Sequence, residues 1–248
     1  MNIAEKIARA KADYDAVFEA GKQAGGGGGG GNTEAAYNKG LADGKQAEYD
    51  RFWDDYQDNG QKTAYNQYAG AFLGTGWTDE NFNPKYPIVP TDAAYMFRAT
   101  GITDLTKDGV VLDFSNCEKF NYAFAYSKTL KKLPLIDLSS AKETTSLFAD
   151  SIAESLILTF SENTNIASNM FSNAKWLTNL TIGGTIGMSI SFANSPSLTV
   201  ESVDSIIEHL KDLGEAQEQK LTLNTTVVAN MLQAQKDAIS AKNWTLVY

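Results

Sequence analysis

The feature that most constrains how this chain folds is a short pattern that returns five times: Phe97-Arg98-Ala99-Thr100, Phe124-Ala125-Tyr126-Ser127, Phe148-Ala149-Asp150-Ser151, Phe171-Ser172-Asn173-Ala174 and Phe192-Ala193-Asn194-Ser195. Each copy is a Phe, two residues and then a small residue. The phenylalanines are 27, 24, 23 and 21 residues apart, inside or near the period of leucine-rich solenoids. A unit of that length cannot bury its own apolar edge, so the units must stack and the column of rings becomes the core. The small residue allows a tight turn, and each repeat is expected to contribute one short strand to a parallel sheet along one face. Leu130, Leu177 and Leu198 each follow a Phe by six residues. Two copies continue with one cadence, Leu130, Leu133, Leu135 and Leu177, Leu180, Ile182. The third fits less well, with Leu156, Ile157 and Leu158 near the expected places.

The ends of such a stack must be closed, because open sheet edges invite pairing with other strands. At the C-terminal side Thr199 is placed to cap a helix whose apolar face is Val203, Ile206, Ile207, Leu210 and Leu213, with Gly214 as its stop. A strand at Leu221-Thr222-Leu223, a helix over 227–242 and a last strand from Trp244 to the end complete a C-terminal cap over 199–248. On the other side, residues 61–90 are rich in Gly, Asn, Pro and aromatics, with a turn at Gly76-Trp77-Thr78-Asp79, and read as an aromatic connector and N-terminal cap. An aromatic-lined groove is the alternative reading. The repeats themselves are assigned to 91–198.

Two further helices are expected before the cap. Over 1–24, Ile3, Ile7, Ala10, Tyr14, Val17 and Gly21 recur at gaps of four and three, which is heptad spacing. This seam either packs on its own domain or self-associates as a short coiled coil, giving a homo-oligomer. Residues 25–31 are seven consecutive glycines, a flexible tether whose ends average about 15 Å apart. A phosphate cradle would need Gly-Lys-Ser/Thr at its end, and Asn32-Thr33 stands there. Residues 32–60 form the second expected helix, carrying Tyr37, Leu41, Tyr49, Phe52, Trp53 and Tyr56.

Composition removes whole classes of chemistry. The 248-residue chain has one His, His209, and one Cys, Cys117, so it lacks an internal disulfide, a Cys/His zinc site and a redox pair. Its formal net charge of −9 argues against nucleic acid and anionic membranes as partners. No cofactor, metal or catalytic residue is assigned. His209 reads as a surface or packing residue, and Gly183-Gly184-Thr185-Ile186-Gly187 as a turn between repeats rather than an anion cradle. Residues 1–15 lack the apolar run of a secretory signal, so the product is expected in the host cytoplasm or virion, with the cell surface as the alternative.

The Phe-x-x-Ser/Ala element, the Leu-x-x-Leu-x-Leu cadence and the segment Leu135-Ile136-Asp137-Leu138-Ser139 resemble the BspA-type leucine-rich repeat proteins. Asn243-Trp244-Thr245-Leu246-Val247 and Glu48-Tyr49-Asp50-Arg51-Phe52-Trp53 are similar to repeat proteins encoded by gut bacteria and their phages or prophages. The resemblance implies an α/β fold, a leucine-rich-repeat solenoid with N-terminal helices and a C-terminal α/β cap. It also implies a surface or virion-associated binding protein rather than an enzyme. The expected function is recognition or adhesion on a phage particle or tail, with a protein or glycan of a cell surface as partner; a bacterial adhesin or an intracellular interaction scaffold is the alternative. Aligning the two clear copies makes Lys132 and Asn179 equivalent outward residues, with Lys131 and Thr178 beside them, and these four are the candidate partner-binding residues.

Overall fold

Six phenylalanines lie ring over ring through the molecule. Phe72, Phe97, Phe124, Phe148, Phe171 and Phe192 have successive centroids 5.1, 5.7, 5.5, 5.5 and 4.6 Å apart. The first five rings are nearly parallel, with interplanar angles of 6° to 20°. All six are buried, and separations in this range are those at which offset aromatic pairs attract. The structure is a computed structural model that describes residues 68–84 and 87–248, all within one compact unit, Asn66–Tyr248. The helices expected over 1–24 and 32–60, the glycine run 25–31 and the start of the connector at 61–67 lie outside the described residues.

The backbone around each Phe is neither helix nor strand, yet its hydrogen bonds are accounted for by simple alternation. The amides of Tyr95, Phe97 and Ala99 donate to the carbonyls of Asn121, Ala123 and Ala125 at 2.8 to 2.9 Å. Those of Tyr122, Phe124 and Tyr126 donate to Thr145, Leu147 and Ala149, and those of Phe148 and Asp150 to Met170 and Ser172. The intervening amides close turns within the rung, such as Arg98 to Tyr95 and Thr100 to Phe97. Every second amide therefore ties one rung to the next, and none of these buried donors is left without a partner. In four of the five copies the turn places the residue two after the Phe in the left-handed region: Ala99, Tyr126, Asp150 and Asn173 have φ between 53° and 59°, as the third residue of a type II turn requires.

The small residue of the motif is a buried junction. Ser127 Oγ donates to the carbonyl of Phe97 at 2.8 Å and Ser195 Oγ to that of Ala174 at 3.1 Å. Thr100 and Ser151 instead accept from the amides of Ile102 and Ala153. A hydroxyl at this place satisfies one backbone group of its own turn or of the rung before, which explains why Ser and Thr alternate with Ala there.

The repeat begins one rung earlier than 91. Phe72-Leu73-Gly74-Thr75 is a further copy, 25 residues before Phe97. The amides of Gly70, Phe72 and Gly74 donate to Ala94, Met96 and Arg98 in the same alternation. Gly70 and Gly74 take the two left-handed positions, at φ 71° and 91°. Trp77 and Phe82 meet Phe72 edge-on at 5.1 and 4.9 Å and are buried, so among the described residues the aromatics of 68–84 pack into the same core as the ring column.

On another side of each rung the chain forms short parallel strands. β1 (Ile136–Asp137), β2 (Ser155–Phe160) and β3 (Asn179–Gly184) make one sheet in that order. Leu156 pairs with Leu180, and Leu158 with both Ile136 and Ile182. The poorly matching third copy is thus fully in register. The irregular copy is the second: Pro134 adds a residue, so Ile136 is buried and Leu135 stays 49% exposed, against the expectation that Leu135 matches Ile182. Earlier rungs contribute isolated bridges, Ile88 to Leu112 and Asp104 to Lys132, and not the strand expected of every repeat.

Helix α1 (Val200–His209) covers the β3 edge. Ser202 and Ser205 hydroxyl oxygens accept from the amides of Leu180 and Ile182 at 2.8 and 2.9 Å, supplying acceptors that the next strand would have offered. Thr199 caps α1 as expected, but the helix ends at His209, not Leu213. Leu210 is drawn into an extended bridge with Ile186, anchored by Ile186 N to His209 O at 2.8 Å. The ring column continues into a second parallel sheet, β4 (Ile190–Phe192), β5 (Gln219–Leu223) and β6 (Trp244–Val247), in that order. The single helix expected over 227–242 is two, α2 (Thr225–Ala229) and α3 (Gln233–Ala241). Gln235 makes the break: its Oε1 accepts from the Leu232 amide, starting α3, while its Nε2 donates to Asp204 on α1.

Removing one ring from the middle of the column should be costly. Phe148→Ala is expected to lower stability by about 3–5 kcal/mol in urea unfolding, because the ring contacts Phe124 and Phe171 together. The glycines allow a sharper comparison. Gly70→Ala should cost only about 1 kcal/mol, since its φ is positive but an added Cβ meets nothing within 4 Å. Gly184→Ala should cost at least about 2 kcal/mol more in the same assay, because its Cβ would stand 1.9 Å from the Phe160 carbonyl oxygen.

Candidate functional site

The four residues singled out by alignment occupy equivalent corners, where the chain turns into the strand side of a rung. The amides of Lys131 and Lys132 both donate to the Thr103 carbonyl, and those of Thr178 and Asn179 both donate to the Glu154 carbonyl. The corner sequence along the stack is therefore Thr103-Asp104, Lys131-Lys132, Glu154-Ser155 and Thr178-Asn179. Lys131-Lys132 and Thr178-Asn179 are two rungs apart, roughly 10 Å at ordinary strand spacing. Glu154 and Ser155, both exposed, belong to the same surface, and the loose fit of the third copy hid them.

Their side chains differ in how far they are already engaged. Lys132 Nζ lies 3.0 Å from Asp104 Oδ2. Thr178 Oγ1 donates to the Glu154 carbonyl at 2.9 Å and accepts from Asn179 Nδ2 at 3.0 Å. Lys131 is exposed. Asp104 is held well below the usual carboxylate range, to about 2, first by hydrogen bonds from the Thr106 hydroxyl and amide and then by the Lys132 ammonium, against an opposing effect of burial. Just past the corner, Leu135 and Ile157 point outward side by side, next to Thr181. Two hydrogen-bonding corners beside a small apolar strip can grip another surface. They hold no nucleophile aligned with a base.

Other singled-out residues take structural roles. His209 Nδ1 is 2.9 Å from the Ser205 carbonyl, one helical turn back. The glycine-rich turn is a place of close approach: Gly187, like Gly184, would push a Cβ into a carbonyl oxygen, that of Glu162 at 2.1 Å. The amides of Thr185 and Ile186 are bonded to Phe160 and His209 and do not form a cradle. Cys117 is buried with its thiol donating to the Lys119 carbonyl, and burial pushes it up to about 12. Among the described residues there is no group of three His, Cys, Asp or Glu side chains that could hold a metal ion, and no helix long and apolar enough to cross a membrane.

One cluster had no signal in the alignment of Leu and Phe. Tyr95, Tyr122 and Tyr126 stand two residues before or after a motif Phe, all at φ near 59°. Bulky side chains rarely adopt that region; other rungs place Gly, Ser, Asp, Asn or Ala there. The Tyr95 and Tyr122 rings stack at 5.2 Å, and the Arg98 guanidinium lies 5.0 Å from the Tyr126 ring and 6.0 Å from that of Tyr95. The signal that would have found them is tyrosine where a turn prefers glycine.

No protein-family model, curated protein or solved structure matches this chain.

Two expectations follow. Because the folded Asp104 value lies below its ordinary 3.8, ionised Asp104 favours the fold above about pH 4, and that contribution should be lost as pH falls toward about 2. Asp104→Asn should flatten the acid limb of the stability curve in that window, measured by urea midpoints at several pH values. Cys117 should react with iodoacetamide at pH 8 far more slowly than a free thiol, and at the ordinary rate once the chain is unfolded in guanidinium, as followed by mass spectrometry.

Proposed function

We propose that this chain is a non-enzymatic recognition protein, built on a leucine-rich-repeat solenoid of the BspA type and carried on a phage particle or tail. The observation that carries the reading is the division of labour within each rung. Inward positions repeat the same chemistry, Phe in the ring column and Leu or Ile in the strands. Outward corners at equivalent places change from rung to rung, Lys-Lys, Glu-Ser and Thr-Asn. A stack of this kind keeps its core while its surface is varied, which suits binding to partners that themselves vary. In this reading residues 1–60, with the helices expected there and the glycine run, anchor and display the stack, and the partner is a protein or glycan on a bacterial cell. The resemblance in sequence supports the phage or prophage setting, and the net charge of −9 favours partners other than nucleic acid.

The test uses fluorescently labelled full-length protein on a panel of intact gut bacteria, read by flow cytometry. Saturable binding to a subset of strains is expected. A double variant, Lys131→Glu with Asn179→Lys, should weaken that binding at least about tenfold without shifting the melting temperature. Uniform, non-saturable signal on every strain would contradict the reading, as would saturable binding indifferent to the double variant.

A further inference from the structure

Arg98 is the only arginine among the described residues, and, unlike six of the described lysines, it meets no carboxylate. Lys107, Lys119, Lys128, Lys132, Lys142 and Lys211 each lie within 4.0 Å of a carboxylate. Arg98 has no ion pair or hydrogen bond among the described residues; its Nε is buried without a partner, while its terminal nitrogens are not enclosed. A cation in an acidic chain that meets rings rather than a carboxylate is held by weaker forces than the fold could have supplied. Ala125, the small buried residue at the equivalent place in the next rung, leaves room for the Arg98 stem to lie toward Tyr126. At the place equivalent to Tyr126 in the next rung stands an acid, Asp150, and it is already engaged by Lys128 and Asn173.

The surroundings are shaped as a shelf. Tyr95 and Tyr126 are 42% and 40% exposed. One face of Tyr95 rests on Tyr122, and the equivalent place in the preceding rung is Gly70, where an added Cβ would meet nothing within 4 Å. Three tyrosines accept positive φ to form this place, a strain that packing alone does not require, since neighbouring rungs use small or polar residues there.

We propose that Arg98, with Tyr95, Tyr122 and Tyr126, forms a binding site for an acidic saccharide. A carboxylate or sulfate takes the terminal N–H groups of Arg98 end-on, which a guanidinium does with two parallel hydrogen bonds. The pyranose ring lies against the exposed Tyr95 ring, and the tyrosine hydroxyls meet sugar hydroxyls. An acidic peptide shares the charge, but its carboxylates stand on flexible stems and not on a ring that lies on the open shelf, which is why the saccharide is favoured. The inference rests on the recognition reading and names the ligand class of one part of that surface.

The experiment is isothermal titration of the full chain with four probes: a galacturonate tetrasaccharide, a heparin-derived tetrasaccharide, neutral maltotetraose and tetraglutamate. Binding of one or both acidic saccharides is expected, the two arms separating carboxylate from sulfate, with affinity at least about tenfold above that for maltotetraose and tetraglutamate. Arg98→Met should abolish the preference and Arg98→Lys should restore it only in part, both with an unchanged melting temperature. Equal binding of tetraglutamate, no binding of either acidic saccharide up to about 10 mM, or binding indifferent to Arg98→Met would each overturn the site. Cell binding that survives such a result leaves the recognition reading standing and removes this site alone.

Discussion

Everything in the described part of the molecule depends on keeping six phenylalanine rings in register at about 5 Å intervals. That spacing is close to the distance between hydrogen-bonded strands, so rings and backbones repeat together. The constraint then propagates outward. A ring can sit over its neighbour only if the chain returns to the same place after 21 to 27 residues, and the returning backbone must satisfy its own donors. Alternating amides do this without regular secondary structure: half bond the next rung, and half close the turns that carry each Phe inward. The left-handed residues, the buried hydroxyl of the motif and the close-approach glycines are consequences of that one geometry.

The stack also shows how an edge is ended without a barrel. Ser202 and Ser205 of α1 take the place of a missing strand at β3, while the ring column passes into β4, β5 and β6. Bulk burial comes from the rings. The serine contacts instead decide where the sheet stops, and the extended bridge at Leu210 shortens α1 so that the chain can turn back.

Much of this was legible in the sequence, for reasons that can be named. Phe is large and rare enough that five copies at a narrow spacing stand out, and the C-terminal strands and the Thr199 cap follow from alternation and capping chemistry. The Phe72 rung was missed because glycines on both sides made it resemble a connector, although those glycines mark its two left-handed positions. The Leu135 slip was missed because Pro134 inserts a residue without disturbing the apolar spacing. The Gln235 break in the last helix had no Pro or Gly to announce it, since its cause is a tertiary bond to Asp204. The outward corner of Lys131, Lys132, Thr178 and Asn179 could be aligned from two copies, but Glu154 and Ser155 needed the register itself. The tyrosines around Arg98 could not be found by periodicity, because what distinguishes them is backbone conformation.

The central claim is that amides lying in no helix or strand are held by the neighbouring rung. Native-state hydrogen exchange on the full chain reads this directly at Phe72, Tyr95, Phe97, Tyr122, Phe124, Phe148 and Asp150. The account predicts that these amides are protected about as strongly as those of Leu156, Leu158 and Leu180 in the sheet and are released together with them as denaturant is raised. Exchange at these seven sites near the rate of an unstructured peptide, while the strand amides stay protected, would contradict it.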